Sequence, residues 1–140
     1  GLSRRVLAPM RLLVALPPDG RVGADSPWER VAGLPWIGTP DDCPFQMLGQ
    51  DLFSRLGRSP LVERRVDIER TILEMVSSGL GAGLLREDTA LAAARDGRCI
   101  LWAGAAIDTE FAFVWPRSRA RNPCLDAVRA ILEELWPARP

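Results

Sequence analysis

Residues 67–85 read Asp67-Ile-Glu-Arg-Thr-Ile-Leu-Glu-Met-Val-Ser-Ser-Gly-Leu-Gly-Ala-Gly-Leu-Leu85, and two periodicities meet inside this stretch. Ile68, Ile72, Met75 and Val76 recur at helical spacing, with Asp67 placed to cap a helix that runs through Ser78. Gly79 stands where a left-handed C-terminal glycine belongs, and Ala82 to Leu85 is a short apolar run that suits a buried strand. Glycines at 79, 81 and 83 invite comparison with a dinucleotide fingerprint. That fingerprint needs its third glycine one place later, and its helix follows a strand rather than preceding one. A helix cap followed by close helix-to-strand packing is the better reading.

Toward the N-terminus, Arg11-Leu-Leu-Val-Ala-Leu16 is an apolar run of strand length, stopped by Pro17-Pro-Asp-Gly20. Residues 21–34 read mostly as connection around a short helix from Trp28 to Val31, and Pro35 to Gly38 as a short strand ending in Thr39-Pro-Asp-Asp42. A helix follows, with Asp41 or Asp42 as cap, Pro44 in its first turn, Phe45, Leu48, Leu52, Phe53 and Leu56 on one face, and Gly57 as its stop. Leu61 to Val66 alternates as a strand. Toward the C-terminus come an Ala-rich helix from Glu87 to Asp96, a strand from Arg98 to Trp102, a connection from Ala103 to Asp108 and a strand from Glu110 to Trp115. The last helix is capped by Asn122, opened by Pro123 and expected to bury Leu125, Val128, Leu132 and Leu135. Strands alternating with helices predict an α/β layer structure with a largely parallel sheet.

The chain has 140 residues, 47% of them hydrophobic and 26% charged, in the range of a folded globular domain. Its 18 basic and 18 acidic side chains cancel, so net charge draws it neither to DNA nor to an anionic membrane. No apolar run is long enough to span a bilayer and no cleavage pattern follows Leu12–Leu16, which predicts a cytoplasmic location with no membrane contact. Histidine, tyrosine and lysine are all absent, which removes the usual general bases, Schiff-base chemistry and a P-loop lysine. Cys43, Cys99 and Cys124 are odd in number and widely spaced, unlike a disulfide framework or a metal site. The acidic pairs at 41–42, 87–88 and 133–134 fall near helix ends or on solvent faces, where neighbours in sequence point apart. Arg117, Arg119 and Arg121 read as a solvated loop. We expect no catalysis, no cofactor and no metal.

The segment from Thr39 to Phe45 is the most promising one, because it leaves the carboxyl end of a strand and enters a helix. Ligands of open α/β sheets settle there, and free backbone N–H groups favour a carboxylate or phosphate. Thr39 adds a hydroxyl, and Cys43 at a helix N-terminus also admits a thiol-based, redox-sensing alternative.

The order and spacing of Leu12–Pro18, Leu34–Ile37, Asp67–Leu85 and Phe111–Trp115 with the final helix resemble the effector-binding domains of LysR-type transcription regulators. The resemblance covers essentially the whole chain. It implies an α/β fold like that of type II periplasmic binding proteins, with a complete regulatory subdomain II and part of subdomain I. Residues 1–20 would be a strand and crossing segment of subdomain I, 21–106 the effector-binding subdomain II, and 107–140 the return crossing, strand and C-terminal helix, with crossings at Pro17–Gly20 and Ile107–Thr109. The helix-turn-helix and the first part of subdomain I would lie outside this stretch, so DNA would be met only through that other domain. The resemblance further implies a small-molecule effector, which the helix entrance at Thr39–Phe45 makes an organic anion, contacts from Thr39, Pro40, Cys43, Phe45 and Ile68, and self-association of the full-length protein as a dimer or tetramer. A solute-binding protein of the same fold is the other alternative.

Overall fold

The apolar run at Leu12–Leu16 is the buried end of a longer strand, β1 (Leu2–Leu16), in a computed structural model that describes residues 1–137. Residues 138–140, the end of the third expected segment, lie outside the described residues. After β1 come α1 (Trp28–Ala32), β2 (Trp36–Gly38), α2 (Pro44–Arg55), β3 (Val62–Arg65), α3 (Glu69–Ser77), β4 (Ala82–Arg86), α4 (Glu87–Arg95), β5 (Ile100–Pro116), a short 3-10 turn at Arg117–Arg119 and α5 (Pro123–Leu135). The chain divides into two units: Gly1–Met10 with the residues from Asp108 onward, and Arg11–Ile107.

In the larger unit the strand order is β3-β2-β4-β1-β5. β2 pairs parallel with both β3 and β4, while β1 lies antiparallel to β4, with Val14 opposite Leu84 and Ala15 opposite Gly83. Alternation along the strands divides the core. Ala15, Ile37 and Leu85 cluster with Ile72, Leu73 and Val76 of α3 and with Ala90 and Ala93 of α4. Trp36 belongs to an aromatic group with Trp28 and Phe53, whose ring centroids lie 5.0–5.9 Å apart, and Trp102 joins Trp28 at 5.2 Å. Each large side chain so buried contributes about 1.5–3 kcal/mol.

The glycines of the deciding stretch act as packing and capping residues. Gly79 takes φ +80°, and the N–H groups of Gly79 and Leu80 donate to Val76 O and Met75 O, the paired bonds that close a helix C-terminus. A Cβ on Gly83 would sit 2.7 Å from Ile72 Cγ2, so only a glycine lets α3 lie this close to β4.

Five expectations are corrected. The connection at Ala103–Asp108 is absent, since β5 runs unbroken from Ile100 to Pro116; its small residues read as a break, but the stretch stays extended and the Ala103 N–H donates to Ala24 O at 2.9 Å. Neither Asp41 nor Asp42 caps α2: Cys43 holds the N-cap position and makes no side-chain bond there. Ile68, not Asp67, precedes α3, again without a side-chain cap. No residue of α5 is fully buried, and Val128 and Leu135 are exposed, although Asn122 caps it as expected by accepting from the Cys124 N–H at 2.9 Å. The face of α2 also differs, because Gln46 and Gly49 are buried whereas Phe45 and Leu48 are half-buried.

In the smaller unit, the N-terminal part of β1 and the C-terminal part of β5 are held by ion pairs of Arg4 with Glu110 and of Arg5 with Glu133 on α5. Arg129 of α5 lies over the Trp115 ring at 5.1 Å. Phe111, Val114 and Ile131 are exposed here, so an apolar face stands open.

Candidate functional site

Because β3, β2 and β4 run in one direction, all three deliver their carboxyl ends to the same edge of the larger unit. β2 leads through Thr39–Cys43 into α2, β3 through Val66–Ile68 into α3, and β4 passes directly into α4 with Arg86 at the N-cap. The Val66 N–H donates to Gly38 O at 2.9 Å and ties the first two turns together. Such an edge collects helix N-termini, and with them a positive potential.

A cavity of about 200 Å³ opens there, lined by Thr39, Cys43, Phe45, Asp67, Glu69, Ile72 and Arg86. The starts of α2 and α3 carry no side-chain cap; Pro44 has no N–H, and the Gln46 and Thr71 N–H groups bond back to Cys43 O and Ile68 O, which leaves the N–H groups of Phe45, Glu69 and Arg70 for a guest. A recess of about 20 Å³, the size of one water or methyl group, adjoins the cavity and shares Thr39, Phe45 and Ile72 with it; Trp36, Phe53 and Leu84 are among its other walls.

Thr39 is 7% exposed, and its Oγ1 is the single buried side-chain polar atom without a hydrogen-bond partner among the described residues. Its position is fixed through its carbonyl oxygen, which accepts from Arg65 at 2.9 Å. The buried Gln46 amide, turned to satisfy both neighbours, donates to the same oxygen at 3.2 Å and accepts from Arg65 at 3.2 Å. Arg65 also pairs with Asp41 at 3.1 Å.

The charges at the cavity are unevenly matched. Glu69 accepts from the Arg86 backbone N–H at 2.6 Å, from Arg86 Nε at 3.1 Å and from the Thr89 hydroxyl at 3.1 Å, so its carboxylate is fully engaged. Among the described residues Asp67 has no hydrogen-bond or ion-pair partner. Among the described residues no group of three His, Cys, Asp or Glu side chains could hold a metal ion.

Of the residues singled out from sequence, Thr39, Cys43 and Phe45 line the cavity. Pro40 shapes the turn instead, its carbonyl accepting from the Cys43 N–H at 2.9 Å. Ile68 is 60% exposed and lies outside the lining, between Asp67 and Glu69 which belong to it. Asp67, Glu69, Ile72 and Arg86 were not singled out. Asp67 and Arg86 were within reach of the same rule that found Thr39, because each stands at the carboxyl end of a parallel strand.

The smaller unit holds a larger hollow of about 450 Å³ between Arg5–Pro9 and the end of α5. Among the described residues neither a helix N-terminus nor a buried unpartnered polar atom lines it. No helix among the described residues is long and apolar enough to cross a membrane.

The family model for the LysR substrate binding domain matches residues 1–137. Among solved structures, the chain is similar to the regulatory domain of CcmR from Synechocystis PCC6803 in complex with 2-PG, with TM-score 0.79 and 12% identity over 99% of this chain and 69% of that one. It is also similar to the regulatory domain of MetR, a LysR family regulator from N. meningitidis, with TM-score 0.70 and 17% identity over 96% of this chain and 63% of that one. A third similar structure is full-length LysG from Corynebacterium glutamicum, with TM-score 0.63 and 26% identity over 96% of this chain and 45% of that one. The chain thus spans about two thirds of the regulatory domains and about half of the full-length regulator. No curated protein matches the sequence.

Proposed function

This chain belongs to the LysR substrate-binding domain family, and from that premise we propose that it is an effector-sensing module that takes a small organic anion at the carboxyl ends of β2, β3 and β4. The observation that carries this reading is the buried hydroxyl of Thr39, left without a partner among the described residues, in a residue that lines a cavity where α2 and α3 start uncapped. A buried hydroxyl without a partner costs about 1–3 kcal/mol, a cost that an anionic ligand accepting its hydrogen bond removes. Thr39, Cys43 and Phe45 contact the effector, while Pro40 and Ile68 shape the two turns that present them.

The function is regulatory rather than catalytic, and the chain holds no histidine, tyrosine or lysine to serve as a base. On this reading residues 21–106 are the effector-binding subdomain and the rest belongs to a second one. Effector binding favours one arrangement of the domains of the whole regulator over another, and so repositions DNA-binding parts carried elsewhere in it. The CcmR regulatory domain, solved with 2-PG, offers a parallel for a fold of this kind holding a ligand. Titration with a library of small carboxylates tests the proposal. A rise in melting temperature that vanishes in Thr39→Val supports it; no shift with any member, or a shift indifferent to Thr39→Val, overturns it.

A further inference from the structure

The same cavity carries a finer distinction, which rests on the reading just given. A simple anion would be drawn by the uncapped starts of α2 and α3 but would also meet the Asp67 carboxylate, which no described residue neutralises. Arg86 does not offset it, because that side chain already serves Glu69 and lies 3.8 Å from Asp88. The three charged residues of the lining therefore leave one negative charge uncompensated. We infer that the effector carries its own cation: it is a zwitterion, a small α-amino acid whose carboxylate meets Thr39 Oγ1 and the start of α2 while its ammonium meets Asp67. The turns bearing these two groups follow adjacent parallel strands and are joined by the Val66 to Gly38 hydrogen bond, so they present an anion site and a cation site side by side. Phe45 and Ile72 give the same cavity an apolar wall, and the recess they share with Thr39 admits no more than a methyl-sized group. The side chain of the amino acid is therefore uncharged and apolar.

Matched pairs of probes test this by calorimetry on the whole chain: alanine against propanoate, and valine against 3-methylbutanoate, each pair differing in the amine. The inference expects the amino acids to bind and their amine-free partners to bind roughly tenfold or more weakly, the worth of one hydrogen bond between charged groups. Asp67→Asn erases that preference and Asp67→Glu keeps it. If the amine-free acids bind as well as the amino acids, in a manner lost in Thr39→Val, the zwitterion is excluded while the anion-sensing function stands. If neither class binds, the zwitterion falls together with the site itself. Retention of full amino-acid affinity in Asp67→Asn also overturns the inference.

Discussion

Glu69 holds Arg86 at two points, taking the backbone N–H of the residue that begins α4 and the guanidinium of the same residue. One carboxylate thereby joins the first turn of α3 to the last residue of β4, and the bond to Thr89 extends the link into α4. We expect Glu69→Gln to keep part of this network and Glu69→Ala to lose it, lowering stability by about 1 kcal/mol in urea titrations. The same change removes a negative charge and releases Arg86, so carboxylate probes should bind more tightly to Glu69→Ala even as its unfolding midpoint falls.

Thr39 sets stability against function. Replacing it by valine keeps the shape and removes a buried hydroxyl that has no partner, so the ligand-free protein should gain roughly 1 kcal/mol. Thermal unfolding should show a higher melting temperature for Thr39→Val without ligand and no further rise with one. A lower melting temperature would show that the hydroxyl has a structural partner after all.

Glycine substitutions separate backbone strain from steric conflict. A Cβ on Gly81 would stand 2.4 Å from Pro35 O, beside the hydrogen bond by which the Ala82 N–H donates to that oxygen. Gly57 takes φ +79° but has open space around its Cβ direction. Gly81→Ala is therefore expected to cost about 2–3 kcal/mol and Gly57→Ala about 1 kcal/mol in chemical denaturation. Equal losses would mean that φ alone decides both.

Burial pushes the Cys99 thiol above its ordinary pKa, against a smaller lowering by Arg98, while Cys124 is exposed. Cys124 should react first with an aromatic disulfide reagent in the native protein, and Cys99 only on unfolding. Because the folded thiol ionises at higher pH than the unfolded one, its contribution to stability is complete below the unfolded value of about 8.5 and is lost as pH rises toward the folded value. Denaturation midpoints should fall through that alkaline range, and less steeply in Cys99→Ala.

Much of this architecture was legible where local chemistry and burial agree. The Asp67–Leu85 stretch declared its helix, its glycine cap and its strand, because Gly79 has a positive φ and Gly83 a neighbour too close for any side chain. Pro44 marked the start of α2, and Asn122 with Pro123 the start of α5. What stayed hidden depends on partners far away in sequence. Gly104-Ala-Ala106 looks like a break, yet it lies inside β5, whose Ala103 N–H donates to the distant Ala24 O. The apolar spacing of α5 implied burial, yet spacing cannot say whether anything lies opposite it, and Ile131 is exposed. Within the site, Thr39 could be found because the strand-to-helix rule operates locally. Arg86 could not be joined to Glu69 without knowing that β4 lies beside β2.

The gathering of three parallel strand ends leaves the attraction for a guest in the hands of main-chain amides, which among point mutations only one to proline can delete. Divergence in taste among descendants of this chain must then be written at a few rim positions, above all 39, 67 and 86, while the underlying pull persists. A sensor built in this way can change its chemical vocabulary without rebuilding its frame.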